Sequence, residues 1–409
     1  MNSNLSRSIL FNFYIIINVV FSIIFISVGY LGGDFSGRNI ISNPYSIIIA
    51  LIVFLVIMFF ILKLIFPLLE KLMAPKNVLI YEHSRVLDYL FLLIAIYFLA
   101  CSLLGVSNHR VEHTQLKLPS AFFYIYSLLS PAYLLLIYIF YNYKSSSKTY
   151  YSIIALTIVS SYLSGTSFIL LYLLPLYIIK SRKRVNGRKL LLLIVSGIAI
   201  YPIFRFLKYA LNSMFNLSSS FDFMELEQYI NATFSETSYI DLYFNFLQLS
   251  LERFQIVSNI SYIIDNSNYL YSLSKNQNIL NVDFFIFRTI EDILSGGNSG
   301  SIIIQKIVAG SINGSQTWSS QISLAGFAII EGLESVPIYL YMLVMLALSV
   351  FMSKFLSSDS QVLELTWLNT LLFICHGWVG PFTYYVYSLF VFIIIVSIFN
   401  FFKIMKSKY

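Results

Sequence analysis

Long apolar runs separated by short polar segments make up most of this chain. Ten of these runs carry almost no charge and approach or reach the roughly 20 residues that an α-helix needs to cross a bilayer. We interpret each run as a membrane-spanning helix. The predicted spans are 9–30, 46–68, 86–105, 120–141, 150–162, 165–180, 190–207, 335–353, 362–379 and 382–402.

The fifth and sixth predicted spans are short and meet at "SSYLSGTS", residues 160–167. Serine and glycine interrupt the apolar run at this point. The pattern therefore predicts either a tight turn at one membrane face or two half-helices.

A long polar segment follows the seventh span, and a segment of this kind in a compact protein is usually functional. Residues 239–264 have apolar and aromatic side chains at helical spacing, which predicts one or two amphipathic helices on the membrane surface or over the bundle. Residues 323–340 predict an interfacial helix that leads into the eighth span. The predicted organisation is an N-terminal transmembrane bundle (1–207), a helical loop module (208–334) and C-terminal spans (335–409).

The distribution of basic residues predicts the orientation. With the N-terminus inside, the short inside segments hold 17 basic residues, six of them in "KSRKRVNGRK" (180–189), whereas the short outside loops hold only Arg38, Arg110 and Lys117. The positive-inside rule therefore favours cytoplasmic termini. The loop module, with ten acidic and four basic residues between 209 and 320, then lies outside.

Composition agrees with a membrane protein and narrows the chemistry. The chain is 58% hydrophobic with a mean hydropathy of +0.78, which excludes an ordinary water-soluble domain. Cys101 and Cys375 lie in apolar segments, so no disulfide framework is implied. No phosphate-binding or dinucleotide motif occurs, so we expect no cofactor. An outward-facing transferase would therefore need a donor that is already activated and attached to a lipid, such as a polyprenyl-pyrophosphate sugar.

Three arginines are candidates for binding such a pyrophosphate, because the outer surface offers few cations and a guanidinium binds phosphate in a bidentate manner. Arg253 lies in the predicted amphipathic helix, Arg288 in "FFIFRTIEDIL", and Arg205 at the outer end of the seventh span. The alternative is that these arginines only pair with neighbouring acids, such as Glu252 or Glu291.

Two residues are candidates for the catalytic base. His376, in "ICHGWVGPF" at the outer end of the ninth span, could accept a proton in its neutral form. Glu331 lies near the outer membrane boundary, where acids usually face a polar cavity. Alternatively, His376 is hydrogen-bonded to a helix end. Asp88 and Glu364, at inner helix ends, are interpreted as caps or anchors.

The segment "HRVEH" (109–113) matches a zinc-peptidase pattern, because His109 and His113 could share one helical face. However, it lies in a short predicted outside loop and has no evident third ligand. We therefore expect no metal site and interpret the segment as a solvated loop or a substrate contact.

The whole chain resembles the Wzy-type polymerases of oligosaccharide repeat units, which build O-antigens and related surface polysaccharides. The resemblance rests on the number of spans, the inside termini, the short paired helices around "SYLSGTSFILLYLLPLYIIKSRKR", the late external loop with "LERFQIVSNISYII", and the segment "GFAIIEGLESVPIYL". It implies an all-α polytopic membrane protein, a GT-C-like transmembrane helical bundle of about 10 spans with a large late extracytoplasmic loop module.

The resemblance also implies a chemistry and its partners. The enzyme would be an inverting, metal-independent glycosyltransferase of the bacterial inner membrane, with its large loop in the periplasm. A hydroxyl of an incoming lipid-linked repeat unit attacks the anomeric carbon of the growing chain, and polyprenyl pyrophosphate leaves. The implied partners are the polyprenyl-pyrophosphate-linked oligosaccharide, the lipid bilayer and a chain-length-regulating co-polymerase, with no nucleic acid.

This sequence departs from the family in one respect. Members often carry external arginines followed by a glycine in an R-x10-G pattern, but Ser299 follows Arg288 at that spacing and Ile264 follows Arg253. O-antigen ligases share the architecture and stay an alternative. A flippase-type transporter, a metallopeptidase and a structural scaffold are further alternatives from other classes, and the concentration of polar residues in one external module argues against the flippase.

Overall fold

The computed structural model describes most of the chain. The described residues are 2–35, 43–73, 75, 85–106, 120–165, 169–180, 187–217, 222–236, 238–277, 279, 284–294, 302–314, 318–356 and 361–407. Across these ranges the regular structure is helical, and one isolated β-bridge joins Ile279 to Ile302. The segment "HRVEH" lies outside the described residues.

Nine α-helices are described in the first half of the chain. They are α1 (Asn2–Val28), α2 (Pro44–Phe59), α3 (Phe66–Leu72), α4 (Arg85–Leu103), α5 (Ser120–Leu129), α6 (Pro131–Tyr141), α7 (Lys148–Leu163), α8 (Ile169–Lys180) and α9 (Gly187–Leu217). A π-helical segment, Phe60–Ile65, joins α2 to α3 without a break.

Ten α-helices are described in the second half. They are α10 (Phe223–Glu236), α11 (Tyr239–Glu252), α12 (Val257–Asp265), α13 (Ser267–Lys275), α14 (Phe285–Leu294), α15 (Ile304–Asn313), α16 (Ser323–Glu331), α17 (Val336–Leu356), α18 (Val362–Asn369) and α19 (Val379–Ser407). A second π-helical segment, Thr370–Ile374, extends α18.

The chain is a polytopic helical membrane protein. Six helical stretches within the described ranges are long and apolar enough to cross a bilayer, against the ten spans predicted from the sequence. The six are Ser6–Val28, Pro44–Leu72, Arg85–Leu103, Tyr124–Tyr141, Ser323–Leu356 and Val379–Phe401, and two shorter apolar helices are Leu171–Lys180 and Val362–Ile374. Described helices overlap all ten predicted ranges, but the range 120–141 is divided at Ser130 into α5 and α6.

Two boundaries differ from the sequence prediction. The helix that contains the predicted seventh span continues to Leu217, so the division at residue 207 falls inside α9. The amphipathic stretch 239–264 forms two helices, α11 and α12, which are separated by an irregular segment at 253–256. This segment is important for the position of the polar residues described below.

Charged side chains join several helix ends at one end of the bundle. Arg7 of α1 pairs with Glu70 of α3 at 3.1 Å and with Glu364 of α18 at 2.7 Å. The ammonium group of Lys354, near the end of α17, donates to the backbone carbonyl of Glu70. We name this cluster the Arg7 end of the bundle. The interpretation of Glu364 as an anchor agrees with these contacts.

At the opposite end, α12 packs against α2. The hydroxyl of Ser46, in the first turn of α2, donates to Asp265 at the end of α12. The start of α12 lies deeper, because the backbone N–H of Ile256 donates to the side-chain oxygen of Asn18 at 3.0 Å. Asn18 is ten residues before the end of α1 at Val28, or about 15 Å of helix rise.

Asn18 therefore holds an irregular piece of backbone inside the bundle. Its amide nitrogen donates to the carbonyl of Tyr14 in its own helix at 2.8 Å, and its oxygen accepts from Ile256. The side chain is fully buried. Unpaired backbone groups at membrane depth are costly, so irregular backbone is tolerated there only where protein or a water-filled cavity surrounds it.

Replacing Asn18 with leucine removes the acceptor for the Ile256 N–H. We expect the free energy of unfolding to fall by about 1–3 kcal/mol, the cost of a buried donor left without a partner. Thermal unfolding of the detergent-purified protein measures the effect as a lower midpoint. Ser27→Ala, at an exposed position of the same helix, is the control. Equal midpoints for both variants would show that Asn18 does not hold the 253–256 segment.

Candidate functional site

Three irregular segments meet inside the bundle, below the ends of α1 and α2 that lie opposite the Arg7 end. They are the 253–256 segment, the 318–322 segment before α16, and the 375–378 turn between α18 and α19. We name Asp34, Arg253, Asn259, Gln321 and His376, which join these segments, the polar site.

Asp34 is the centre of the polar site. One carboxylate oxygen lies 3.0 Å from a guanidinium nitrogen of Arg253, and the other accepts from Asn259 at 2.8 Å and from Ser320 at 2.9 Å. Only 4% of the Asp34 side chain is exposed, against 46% for Arg253. The buried carboxylate therefore fixes one side of a guanidinium whose other donors remain accessible. The acid that pairs with Arg253 is Asp34, whereas the alternative interpretation of the sequence had named the neighbouring Glu252.

Two glycines let the loop after α1 approach this site closely. A Cβ atom on Gly32 would lie 2.6 Å from the ring of Phe25 and 2.8 Å from the carboxyl group of Glu252. Gly33 has a φ of +71°, and its N–H donates to Glu252 at 2.7 Å. A side chain at Gly32 would therefore displace Phe25 or Glu252, and one at Gly33 would strain the backbone.

His376 is linked to Asp34 by two side chains. Asn259 donates to the carbonyl of Gln321 at 2.7 Å, and the side-chain oxygen of Gln321 lies 2.9 Å from Nδ1 of His376. Because that oxygen accepts only, the hydrogen bond places the imidazole proton on Nδ1. The other ring nitrogen, Nε2, has no hydrogen-bond partner among the described residues and keeps a free lone pair.

Aromatic rings enclose the imidazole. The ring of Tyr14 lies 5.4 Å away and the ring of Phe54 lies 5.9 Å away, both edge-on, and His376 is 2% exposed. Phe54 is ten residues after Pro44, which begins α2, or about 15 Å of helix rise. Measured along each helix, the residue of α1 that contacts the 253–256 segment and the residue of α2 that contacts His376 lie equally far below the helix ends.

The 375–378 turn is fixed to the start of α16. The N–H of Ser323 donates to the carbonyl of His376, and its hydroxyl donates to the carbonyl of Cys375, both at 3.0 Å. Gln305 donates to the carbonyl of Gly377 at 2.9 Å. Ser323 and Gly377 have positive φ angles of 56° and 78°. The start of α16 and the 375–378 turn are therefore both in the left-handed region at the point where they contact each other.

Arg205 lies next to the polar site. It is 7% exposed, and its guanidinium donates to the carbonyl of Leu249, which is one helical turn before Arg253. It also lies over the ring of Tyr209 at 5.8 Å. The packing of α9 against α11 thus brings together two of the three arginines that the sequence singled out. Arg288 belongs to α14, but its side chain is outside the described part of the structure.

Glu331 and His376 are not brought together. Ser323 begins α16 beside His376, whereas Glu331 ends the same helix, about 12 Å further along its axis. Near that end of α16, Lys275 pairs with Glu334 at 2.5 Å, both largely exposed. Hydrogen bonds from Lys275 to Glu334 raise the pKa of the Lys275 ammonium group.

Other polar residues are structural. Asp88, 4% exposed at the start of α4, accepts hydrogen bonds from the hydroxyl of Tyr138 and from Asn142, in agreement with its interpretation as an anchor. Within the described ranges, no group of three or more metal-ligating side chains occurs. The histidines of "HRVEH" lie outside those ranges.

Sequence reasoning missed Asp34, Asn259 and Gln321. The signal for Asp34 was "LGGDFSG" (31–37), where two glycines precede an acid directly after the first apolar run. Asn259 and Gln321 had no comparable signal, because their importance depends on contacts between distant parts of the chain.

The fold and the polar site define a class, a polytopic helical membrane protein with a charged, hydrogen-bonded site sunk below one end of its bundle. No protein-family model, curated protein or solved structure matches this chain.

The contact between Gly377 and Ser323 gives a test of this site. A Cβ on Gly377 would lie 2.6 Å from the carbonyl oxygen of Ser323, whereas a Cβ on Gly314, which has nearly the same φ, would meet nothing within 4 Å. We expect Gly314→Ala to cost about 1 kcal/mol of stability from its φ alone. Gly377→Ala should cost several-fold more.

Thermal unfolding of the two variants in detergent measures this difference. Equal costs would mean that the 375–378 turn moves freely away from α16. In that case His376 would not be held by the contacts described above.

Proposed function

We propose that this protein is a membrane glycosyltransferase that polymerises polyprenyl-pyrophosphate-linked oligosaccharide repeat units into an O-antigen or a similar surface polysaccharide. The observation that carries the proposal is the half-exposed Arg253, which pairs with the buried Asp34. Arg205 lies beside this pair, and the site is below the helix ends of the bundle. A site at this depth suits a substrate that is attached to a lipid.

The two arginines match the charge of the leaving group. Transfer of a sugar from a polyprenyl pyrophosphate leaves negative charge on the pyrophosphate, and guanidinium groups stabilise such charge through paired hydrogen bonds. Arg253 offers its accessible donors, and Arg205 adds a second positive charge from α9, where its guanidinium donates to the carbonyl of Leu249 on α11. Arg288 stays a predicted third contact.

His376 is proposed to orient the acceptor hydroxyl. Its Nε2 carries a lone pair, and the hydrogen bond from Nδ1 to Gln321 fixes the ring. Nε2 is buried beside the rings of Tyr14 and Phe54, so an acceptor hydroxyl reaches it only when one of these rings moves. The hydroxyl then gives its proton to Nε2 as its oxygen attacks the anomeric carbon and the bond from that carbon to the pyrophosphate breaks. Glu331 stays a predicted base from the sequence; its position at the far end of α16 favours a role apart from His376.

The proposed setting follows from the charge distribution. The Arg7 end would face the cytoplasm, in agreement with the positive-inside rule, and the polar site would open toward the periplasm of a bacterial inner membrane. A chain-length-regulating co-polymerase is the proposed protein partner. O-antigen ligase activity is the nearest alternative, because it uses the same leaving group.

A second candidate function is transport of a lipid-linked or anionic solute. Transporters commonly bind their substrate at interrupted helices inside the bilayer, and the polar site combines three irregular segments at such a depth. If the protein is a flippase, purified protein in vesicles will move a fluorescent polyprenyl-pyrophosphate sugar between leaflets. The glycosyltransferase proposal expects no such movement.

Arg253→Ala should abolish the polysaccharide ladder on a gel of surface polysaccharide from cells that carry the variant. Loss of the guanidinium removes charge stabilisation worth about 2–3 kcal/mol or more in the transition state, which lowers the rate about a hundredfold. Arg253→Lys should retain part of the activity, because it keeps the charge but loses the bidentate geometry.

Lys275→Ala is the matched control, since the Lys275 side chain is also 46% exposed and also pairs with an acid, but away from the polar site. It should leave the ladder unchanged. Collapse to a single repeat unit in Arg253→Ala supports a polymerase, and loss of all repeats with accumulation of lipid-linked polymer supports a ligase. A normal ladder in Arg253→Ala contradicts both.

A further inference from the structure

Three buried polar atoms at the 375–378 turn lack a hydrogen-bond partner among the described residues. They are Nε2 of His376, Nε1 of Trp378 and Oε1 of Gln305. Nine side-chain atoms of this kind occur in the described part of the chain, so one third of them lie at this turn. A buried polar group without a partner costs free energy, and a concentration of three such groups therefore indicates a place where a polar ligand binds.

Gln305 connects the turn to the 318–322 segment. Its Nε2 donates to the carbonyl of Gly377 at 2.9 Å, and its backbone carbonyl accepts from the N–H of Ser320 at 3.1 Å. The residue is 5% exposed. Because the bond to Gly377 needs a donor, it fixes which end of the amide is the nitrogen. Oε1 is therefore left as an acceptor beside the turn.

Trp378 contributes a donor at the other end of the turn. Its backbone N–H donates to the carbonyl of Phe373 at 2.8 Å, and its ring stacks on the ring of Phe373 with 6.4 Å between the centroids. These two contacts hold the indole in place. The N–H of a buried tryptophan usually finds a hydrogen-bond partner, whereas this one has none within the described ranges.

The three atoms offer one donor and two acceptors. The indole N–H donates, whereas Nε2 of His376 and Oε1 of Gln305 accept. An ionised phosphate only accepts and an ammonium group only donates, so neither satisfies this set, but a hydroxyl group does both. Neighbouring hydroxyls of one sugar ring can satisfy all three atoms. The set is also distinct from the Asp34 side of the polar site, because Nδ1 of the imidazole faces Gln321 and that side, and Nε2 lies across the ring.

We propose that His376, Trp378 and Gln305 form the subsite for the acceptor sugar, in which Trp378 and Gln305 position the ring by its hydroxyls. The inference rests on the proposed function, because it names the part of the substrate that binds beside His376. The rings of Tyr14 and Phe54 enclose the imidazole, so the sugar enters when one of these rings moves. Trp378 and Gln305 then determine which hydroxyl pattern is accepted.

Two variants remove single partners of the sugar. Trp378→Phe removes the indole N–H and keeps an aromatic ring at the turn. Gln305→Met removes Oε1, together with Nε2, at nearly the same side-chain length. Trp367→Phe is the matched control, because it makes the same replacement at a buried position of α18, nine residues before His376.

The experiment is an NMR titration of the purified full-length protein in detergent with two probes. One is the lipid-free repeat-unit oligosaccharide, released by mild acid from the lipid-linked pool of the producing cells, and the other is inorganic pyrophosphate. We expect Trp378→Phe and Gln305→Met each to weaken oligosaccharide binding by about three- to tenfold, the effect of one lost hydrogen bond, and to bind pyrophosphate as the wild type does. Trp367→Phe should bind both probes normally, and Arg253→Ala should weaken binding of pyrophosphate only.

Two results would overturn the acceptor subsite. One is normal oligosaccharide binding by both turn variants, which would mean that the three atoms serve ordered water only. The other is an equal loss of oligosaccharide and pyrophosphate binding in Trp378→Phe, which would give the turn a purely structural role. If Trp378→Phe loses the oligosaccharide alone while cells with Arg253→Ala still make a normal ladder of surface polysaccharide, the sugar subsite stands and the proposed transfer reaction is wrong.

Discussion

The structure of the polar site depends on the requirement that backbone groups inside a membrane protein find hydrogen-bond partners. The 253–256 segment lies at the depth of Asn18, inside the bundle. The fully buried amide of Asn18 serves both its own helix and the N–H of Ile256. Because this partner exists, α11 and α12 can turn inside the bundle, and Arg253 is carried below the helix ends.

The pairing of Arg253 with Asp34 reconciles two opposing needs. An unpaired charge at this depth would be expensive, whereas a fully enclosed ion pair would have no capacity for a ligand. The observed pair is asymmetric, with the acid buried and the guanidinium half-exposed. The charge of Arg253 is therefore neutralised by Asp34 even without a substrate, and the remaining N–H donors of the guanidinium can bind one. Two distant loops, at 32–34 and 318–321, must be in place for this arrangement to form.

Most helices could be predicted from the sequence because each apolar run carries its own signal, and described helices overlap all ten predicted ranges. The break at Ser130, which divides the fourth range into α5 and α6, was not predicted. Arg253 and His376 could be singled out because cations and histidines are few in the segments that the sequence predicts to lie outside. The links between them were not, since Asp34 and Asn259 are separated by 225 positions. The depth of the site was also missed, because apolar spacing does not reveal that α11, α12 and α16 begin or end inside the bundle.

The π-helical segment determines how the two halves of the second spanning helix are rotated relative to each other. At one terminus Ser46 is bonded to Asp265, and at the other Glu70 is bonded to Arg7. A π-turn holds one residue more than the corresponding α-turn, and one residue corresponds to about 100° of rotation. The extra residue therefore rotates Glu70 relative to Ser46 so that both the Ser46–Asp265 and the Glu70–Arg7 contacts can form in the same helix. In evolutionary terms, this helix can change its composition more easily than its length.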